Sequence, residues 1–418
     1  MRKPLFFLII FSGFFWGEID LAGAEDEISG APLLLEEVLR EVIERNPDIL
    51  AAKEKERAVG ERVVQARAFE DPQIAVTQWS IPSNFSVGNA DETWYTLSQS
   101  FPFFGKRGLR GGLADLERRI ADEESREVER KIVAAAKQAY YDLFFSYKAF
   151  EIHADQVELA RRFSRIAQEK FAVGEAGAQD LLRAQVELLD LTNALDTLER
   201  ERETAAARLN ALFDRPSSSP LGVPRQPPAP SFEPSLEALL SEAAENRPEN
   251  RLLALTARKG EEAIFLAKRE YFPDVMAEVA YMDIHDGPNR WMTSLKINIP
   301  WINKRKYDAR VRESRAERSR AEAGYRAALN ETQFKVKDLF VKFETAQRLA
   351  RLSQDGILPL ARQSLEAATI GYQTKKNDFL TLIEAQKNLK TFEIAYYRAL
   401  IDMHKNLAEL EQVVGKDF

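Results

Sequence analysis

The second half of this chain restates the first, and no other feature limits its folding as much. LEEVLREVIERNPDILAA at 35–52 lines up with LEALLSEAAENRPENRLL at 236–253, placing Pro47 opposite Pro248. The same offset of 201 residues sets Pro72 opposite Pro273, Phe171 opposite Tyr372, and Ala184-Gln185 opposite Ala385-Gln386. At FPFFGKRGLR (101–110) and IPWINKRKYDAR (299–310) the offset becomes 198, and Lys106-Arg107 meets Lys304-Arg305. An offset held this nearly constant marks a duplication. Residues 25–215 form the first repeat and 235–418 the second; the seven prolines of PSSSPLGVPRQPPAPSFEP (216–234) between them forbid a helix and favour an extended strap.

Inside each repeat the apolar period changes. Residues 35–68 and 236–270 read as helices, with apolar positions three and four apart. Period-two segments follow, giving strands at about 71–81 and 93–101 and again at about 274–282 and 291–299. In the second repeat Val275, Ala277, Val279 and Tyr281 point one way and Met276, Glu278, Ala280 and Met282 the other. After a turn at 285–289, Trp291, Thr293, Leu295 and Ile297 oppose Ser294, Lys296 and Asn298. Very long helices come next, from about 105 to 171 and from 304 to 372, the latter with a kink or break suggested by Gly356 and Pro359 and, more weakly, by Gly324. Ala136, Tyr140, Leu143, Tyr147, Phe150, Ala154 and Val157 step by four and three, as do Leu188, Leu191, Leu195 and Leu198, so these are coiled-coil helices that need neighbours along their length.

The chain opens with Arg2 and Lys3, an apolar run from Leu5 to Trp16, and Ala22-Gly23-Ala24 before an acidic start at Glu25. Residues 1–24 read as a cleaved secretory signal; Glu18 and Asp20 leave an uncleaved anchor as the alternative. The net charge of −7 argues against a nucleic-acid partner. With no cysteine, an exported chain has neither disulfide staples nor a thioether-linked lipid. No later apolar run is long enough for a membrane helix, so entry into a bilayer would rest on the strands.

Four strands with one apolar and one polar face suggest a transmembrane β-barrel whose lipid side carries Val275, Val279, Leu295 and Ile297. Four strands cannot close one. A water-filled lumen needs more than the roughly eight strands whose interior side chains fill, so several chains must contribute, and three copies give twelve. The echoed stretches then sit where a strand leaves the bilayer and a helix begins. Phe101, Phe103, Phe104 and Trp301 suit an interfacial aromatic girdle, and Lys106, Arg107, Arg110, Lys304, Arg305 and Lys306 reach for headgroup phosphates. Basic residues at a helix start oppose the helix dipole, so another contact should offset them. A phosphate-cradling loop of Gly105, Gly108, Gly111 and Gly112 fits no nucleotide motif and is missing from the second copy; a solvated charge cluster at a bend is the plainer rival. Three scattered histidines and the lack of any HExxH, GxSxG or Walker pattern argue against an enzyme, and no cofactor is implied. An exported coiled-coil scaffold or chaperone without a barrel is the alternative of a different class.

The duplicated halves, two strands per half, the Pro-x-x-Gly/Asn-Lys-Arg exit, and the segments FAVGEAGAQDLLRAQVELL (171–189) and YQTKKNDFLTLIEAQKNLK (372–390) together resemble the TolC-type outer-membrane efflux proteins over nearly all of the mature chain, the exit most resembling the heavy-metal efflux branch. The resemblance implies a homotrimer in the outer membrane: a twelve-stranded barrel on a helical periplasmic tunnel, docked on a periplasmic adaptor and an inner-membrane pump, of RND type. It makes 171–189 and 372–390 the periplasmic tips, with Val173, Gly174 and Glu175 matching the family's first tip motif and Thr374, Lys375 and Lys376 in the second. Lys375 stands where the family often has glycine. It also implies a gate in which Tyr372 and Asp180 link neighbouring helices, Asn377 replaces an arginine of the lock, and Thr381 and Glu384 occupy the positions of two constricting acids. Three copies of Glu384 would form an anionic ring that selects cations and repels itself toward opening; solvated helix faces are the plain alternative for Glu384 and Asp180.

Overall fold

The computed structural model describes residues 32–81, 83, 90–228, 230 and 235–418. The expected signal at 1–24 lies outside them, as do most of the loop after residue 81 and residues 231–234 of the strap. Each repeat runs helix, helix, strand, strand, helix, helix: α1 (Leu35–Arg45), α2 (Pro47–Arg67), β1 (Gln73–Trp79), β2 (Glu92–Phe101), α3 (Lys106–Ala172) and α4 (Ala178–Leu212) in the first. The second has α5 (Leu236–Asn246), α6 (Pro248–Arg269), β3 (Val275–Ile284), β4 (Arg290–Ile297), then α7 (Lys304–Leu352) and α8 (Leu358–Gln373) together in the place of α3, and α9 (Phe379–Val414).

The single helices expected over 35–68 and 236–270 are each split, because Pro47 and Pro248 have no N–H to continue a helix and instead start a new one. At the first split Asn46 caps α2, its Oδ1 accepting from the Asp48 and Ile49 amides at 3.0 and 3.3 Å, while its Nδ2 donates to the Leu212 carbonyl of α4 at 3.0 Å. One buried side chain thus joins the end of α4 to the start of α2. The second repeat brings the same ends together, since a Cβ on Gly415, just after α9, would lie 2.6 Å from the Asn246 carbonyl before α6. In each repeat one long helix is therefore flanked by two shorter ones stacked end to end, and α3, with 67 residues at 1.5 Å each, reaches about 100 Å.

The cores repeat as the sequence does. Val38, Val42, Leu209 and Phe213 are buried in the first, and Leu239, Ala243, Leu410 and Val414 stand in the second at an offset of 201. Close helix contacts repeat too: Gly60 faces Arg118 between α2 and α3, and Gly260 faces Arg318 between α6 and α7. The break expected near Gly356 and Pro359 is a π-helical turn at Ser353–Ile357, which absorbs the proline without ending the helical path, whereas Gly324 leaves α7 unbroken. The described strap runs beside the chain start, Leu33 bridging Pro224, with the Tyr140 hydroxyl within 3.0 Å of the Leu33 carbonyl and 2.8 Å of the Arg225 carbonyl.

The four strands form one antiparallel sheet in the order β1-β2-β3-β4, so the two repeats meet where β2 pairs β3, Phe101 opposite Val275. Both β1 and β4 are open edges.

Candidate functional site

The sheet has two unlike faces. One row across it is Val76, Tyr95, Tyr281 and Trp291; the next toward the helices is Ile74, Leu97, Val279 and Thr293; and Phe101, Val275 and Ile297 close the same face. Ile74 is 81% exposed and Leu295 71%, so this apolar face is bare. The opposite face carries Gln73, Ser98, Glu278 and Ser294 in one row, and there Lys296 pairs with Glu278 at 2.6 Å. Alternation at period two puts the apolar set on one side and the ion pair on the other, as a wall between lipid and water requires. Tyr95, Tyr281 and Trp291 add an aromatic row at the end far from the helices, Tyr281 and Trp291 with ring centroids 5.2 Å apart. Six residues separate Tyr95 from Phe101, about 20 Å of strand, close to the ~25 Å apolar band of a barrel bounded by two girdles. No local sequence signal marks this row, because the pairing of β2 with β3, which aligns it, joins residues far apart in the chain.

At the helical exit the echoed motifs behave unequally. Phe104 is 88% exposed and Trp301 57%, and Phe101, Arg110, Lys304, Arg305 and Lys306 are also exposed, although Arg110 and Lys306 line a cleft with Lys106, Asp274 and Asn298. Arg107 lies 3.6 Å over the Phe69 ring, which meets Phe101 edge-on and so belongs to the apolar side. Lys106 corrects the expectation of a headgroup contact. It is 2% exposed, and its Nζ donates to Asp274 Oδ1 at 2.7 Å and to the Phe272 carbonyl at 2.8 Å. Asp274 precedes β3 in step with Glu278, so this pair lies toward the polar face. Phe103 is likewise half-buried, stacked on Phe272 at 4.6 Å, and is no free girdle residue. The offset for basic residues at the start of α3 is now visible: a carboxylate for Lys106 and an aromatic ring for Arg107.

At the opposite end α3 and α8 stop in matching turns. The Glu175 amide donates to the Lys170 carbonyl and the Gly174 amide to the Phe171 carbonyl; the Lys376 and Lys375 amides repeat this with Gly371 and Tyr372. These are Schellman caps, which need a left-handed residue. Gly174 supplies it with φ +74°, and Lys375 takes the same conformation at φ +60° without being glycine. The two tips touch, Lys375 Nζ lying 2.8 Å from Glu175 Oε1 and holding that carboxyl below its usual range. Val173 and Thr374 are exposed beside them.

Of the residues expected to gate, Tyr372 is 5% exposed, its ring edge-on to Phe379 and 4.5 Å below the Lys170 ammonium, which also donates to the Tyr372 carbonyl. Among the described residues its hydroxyl has no hydrogen-bond partner. Burial first, then the Asp180 carboxylate, push that hydroxyl above the ordinary tyrosine range, so Asp180 and Tyr372 are neighbours without being bonded. Glu384 stands apart, exposed on the face of α9 opposite buried Ile383 and Ala385. Lys170 and the Lys387–Glu187 pair at 2.7 Å also tie the repeats here. No motif announces them.

A four-stranded sheet with one lipid-compatible face, borne on helices about 100 Å long, has the architecture of a membrane channel protein. Among the described residues no helix is long and apolar enough to cross a membrane. The chain belongs to the outer membrane efflux protein family, whose model matches residues 38–213 and 239–416, and its place is the outer membrane. Among curated proteins it is 20% identical over 395 residues to the cobalt-zinc-cadmium resistance protein CzcC of Cupriavidus metallidurans, covering 93% of this chain and 91% of that one. Its fold is similar to a membrane protein from Pseudomonas aeruginosa (TM-score 0.80, 17% identity, 92% and 90% of the two chains) and to the outer membrane protein VceC of Vibrio cholerae (0.78, 16%, 92% and 96%).

Proposed function

We propose that three copies of this chain close a twelve-stranded barrel over a helical periplasmic tunnel and form the passive exit duct of a tripartite efflux system. The observation that carries the reading is a sheet with a bare apolar face and two unpaired edges. Unpaired backbone groups are not tolerated in hydrocarbon, so the edges must meet other copies. Large apolar side chains are exposed on the helices as well: Leu182, Val186 and Leu189 on α4 near the tip, and Phe334, Val341, Leu349 and Leu352 on α7. A soluble scaffold has no use for Ile74, Leu295 and Ile297 in water.

The first repeat then begins after cleavage following Ala24, the strap at 216–234 crosses to the second, and an inner-membrane pump of RND type delivers cargo through a periplasmic adaptor at the Val173-Gly174-Glu175 and Thr374-Lys375-Lys376 tips. Similarity to a cobalt-zinc-cadmium resistance protein favours metal ions as that cargo over drugs. Asp180, Tyr372 and Glu384 are the gate candidates, and three copies of Glu384 form the anionic ring. The purified protein should need detergent and run as a trimer that heat converts to monomer; a detergent-free monomer sinks the proposal. In planar bilayers Glu384→Ala should change cation block or single-channel conductance, and an unchanged channel removes Glu384 from the gate.

A further inference from the structure

The proposed assembly leaves open how β4 of one copy meets β1 of the next, and the sheet pairing together with the duplication fixes that register. We propose that the seam is antiparallel with Ile299 opposite Ile74, hence Ile297 opposite Val76 and Lys296 opposite Thr77 of the neighbouring copy. The inference rests on the oligomeric reading above and commits it to particular residue pairs.

Three independent observations converge. The first is face parity: odd-numbered residues of β4 (Leu295, Ile297) and even-numbered residues of β1 (Ile74, Val76) lie on the apolar face. A register that pairs odd with odd would put an apolar side chain into the lumen at every step. Only alternate registers survive.

The second is closure. The row Gln73–Ser98–Glu278–Ser294 crosses one copy. In the proposed register it continues from Ser294 to Trp79 of the next copy and so has climbed six residues. With a rise of ~3.3 Å and a strand spacing of ~4.8 Å, six residues per copy over twelve strands tilt the strands by about 46°. Climbing four gives about 35° and climbing eight about 54°, against the 35–45° of closed barrels, so eight is excluded.

The third is the duplication, which chooses between four and six. Within the chain Phe101 pairs with Val275. The exit offset of 198 carries Phe101 to Ile299, and the offset of 201 carries Val275 back to Ile74. Anchored where strands meet helices, with Pro102 matching Pro300 and Pro72 matching Pro273, a seam that repeats the internal junction climbs six. It also brings Lys304 to Gln73 of the neighbour, the positions that correspond to Lys106 and Asp274 inside the chain.

Because the chain has no cysteine, the register can be read directly. Lys296→Cys is combined in turn with Ala75→Cys, Thr77→Cys or Trp79→Cys, all on the water-facing side, in the full-length protein in outer membranes, followed by mild oxidation and denaturing electrophoresis. Within one chain β1 and β4 are three strand spacings apart, about 14 Å, beyond the ~7 Å Cα separation a disulfide spans, so any bridge must join two copies. The Lys296→Cys/Thr77→Cys chain should give a ladder of covalent dimers and trimers at least several-fold stronger than either other pair. A stronger ladder from Ala75→Cys or Trp79→Cys, or none from any pair in a protein that still has trimeric mass in detergent, overturns the register and leaves the oligomer standing. Monomeric mass for the unmodified protein overturns the oligomer itself.

Discussion

Replacing Asp274 should expose how much the junction of barrel and helix depends on one buried charge pair. The Lys106 side chain is 3% exposed and its ammonium has two partners, Asp274 Oδ1 and the Phe272 carbonyl; the same Oδ1 accepts the Phe103 amide at 2.7 Å. Asp274→Ala leaves a buried ammonium with a single carbonyl and a backbone amide with no acceptor. Breaking a buried pair from one side costs about 3–5 kcal/mol, and because the Asp274 side chain is 32% exposed, water can reach the gap and the lower end, about 3 kcal/mol, applies. Lys106→Met keeps the packed stem and leaves a carboxylate that still holds the Phe103 amide and some water, for about 1–2 kcal/mol. With both changes, Lys106→Met and Asp274→Ala, no charge is stranded, and the loss should fall short of the summed single losses by about 2 kcal/mol. Urea unfolding in lipid vesicles, followed by tryptophan fluorescence and far-ultraviolet circular dichroism, reports the differences through the midpoints at a common slope. A loss below about 1 kcal/mol for Asp274→Ala, with additivity in the double variant, would show that this pair does not hold the junction.

Three further outcomes follow from local geometry. Lys375→Gly removes a left-handed non-glycine residue, relieving about 1 kcal/mol of backbone strain, and gives up an exposed pair with Glu175 worth less than that, so tip-cleaving proteases should cut the variant more slowly; faster cutting would show that the ion pair dominates. His404 lies against the Tyr141 ring with its Nε2 unbonded, and burial lowers its pKa from 6.5 to about 4. A depressed histidine stabilises fully above pH 6.5 and loses that contribution as pH falls toward 4, by up to about 3 kcal/mol, so thermal melts of the wild type should drop through this window while those of His404→Gln stay flatter. Gln73→Asp should rebuild across the seam the pair that Lys106 and Asp274 make within the chain, adding about 1–2 kcal/mol per seam and raising the temperature at which trimers dissociate in dodecyl sulfate; no rise counts against the matched positions.

What could be read in advance depended on whether the deciding contact was local. The strand faces, the length of α3 and the interruption near Gly356 and Pro359 follow from period and from residue chemistry within a few positions, and the structure repeats them. The divisions at Pro47 and Pro248 were also locally legible, since each proline stands where a first helical turn can start, but the long amphipathic pattern on either side masked them. Lys106 was misplaced for another reason. Its partner Asp274 is 168 residues away, and the motif Lys-Arg looks the same whether its lysine faces phosphate or carboxylate. The links at the tip are as distant: Lys375 with Glu175, Lys387 with Glu187 and Lys170 with the Tyr372 carbonyl each join one repeat to the other.

The inequalities between the repeats matter as much as the likeness. Where the duplication is copied faithfully, as in the cores around Val42 and Ala243 or the Gly60–Arg118 and Gly260–Arg318 contacts, the requirement is packing and is the same in both halves. Where the copies diverge, the two positions face different partners. Lys106 meets an acid of its own chain, while Lys304 is exposed and makes no ion pair among the described residues. Gly174 makes its turn without strain, while Lys375 accepts strain and in return reaches across to Glu175. A strictly symmetric pair of repeats would put equal strength at the internal junction and at the seam. In the proposed trimer this chain keeps the Lys106–Asp274 pair inside the polypeptide, where folding of one copy completes it, and leaves the seam to strand pairing and apolar contact. A copy can then fold its helices and half-sheet first and find its neighbours afterwards, without an unpaired buried charge exposed in the interval.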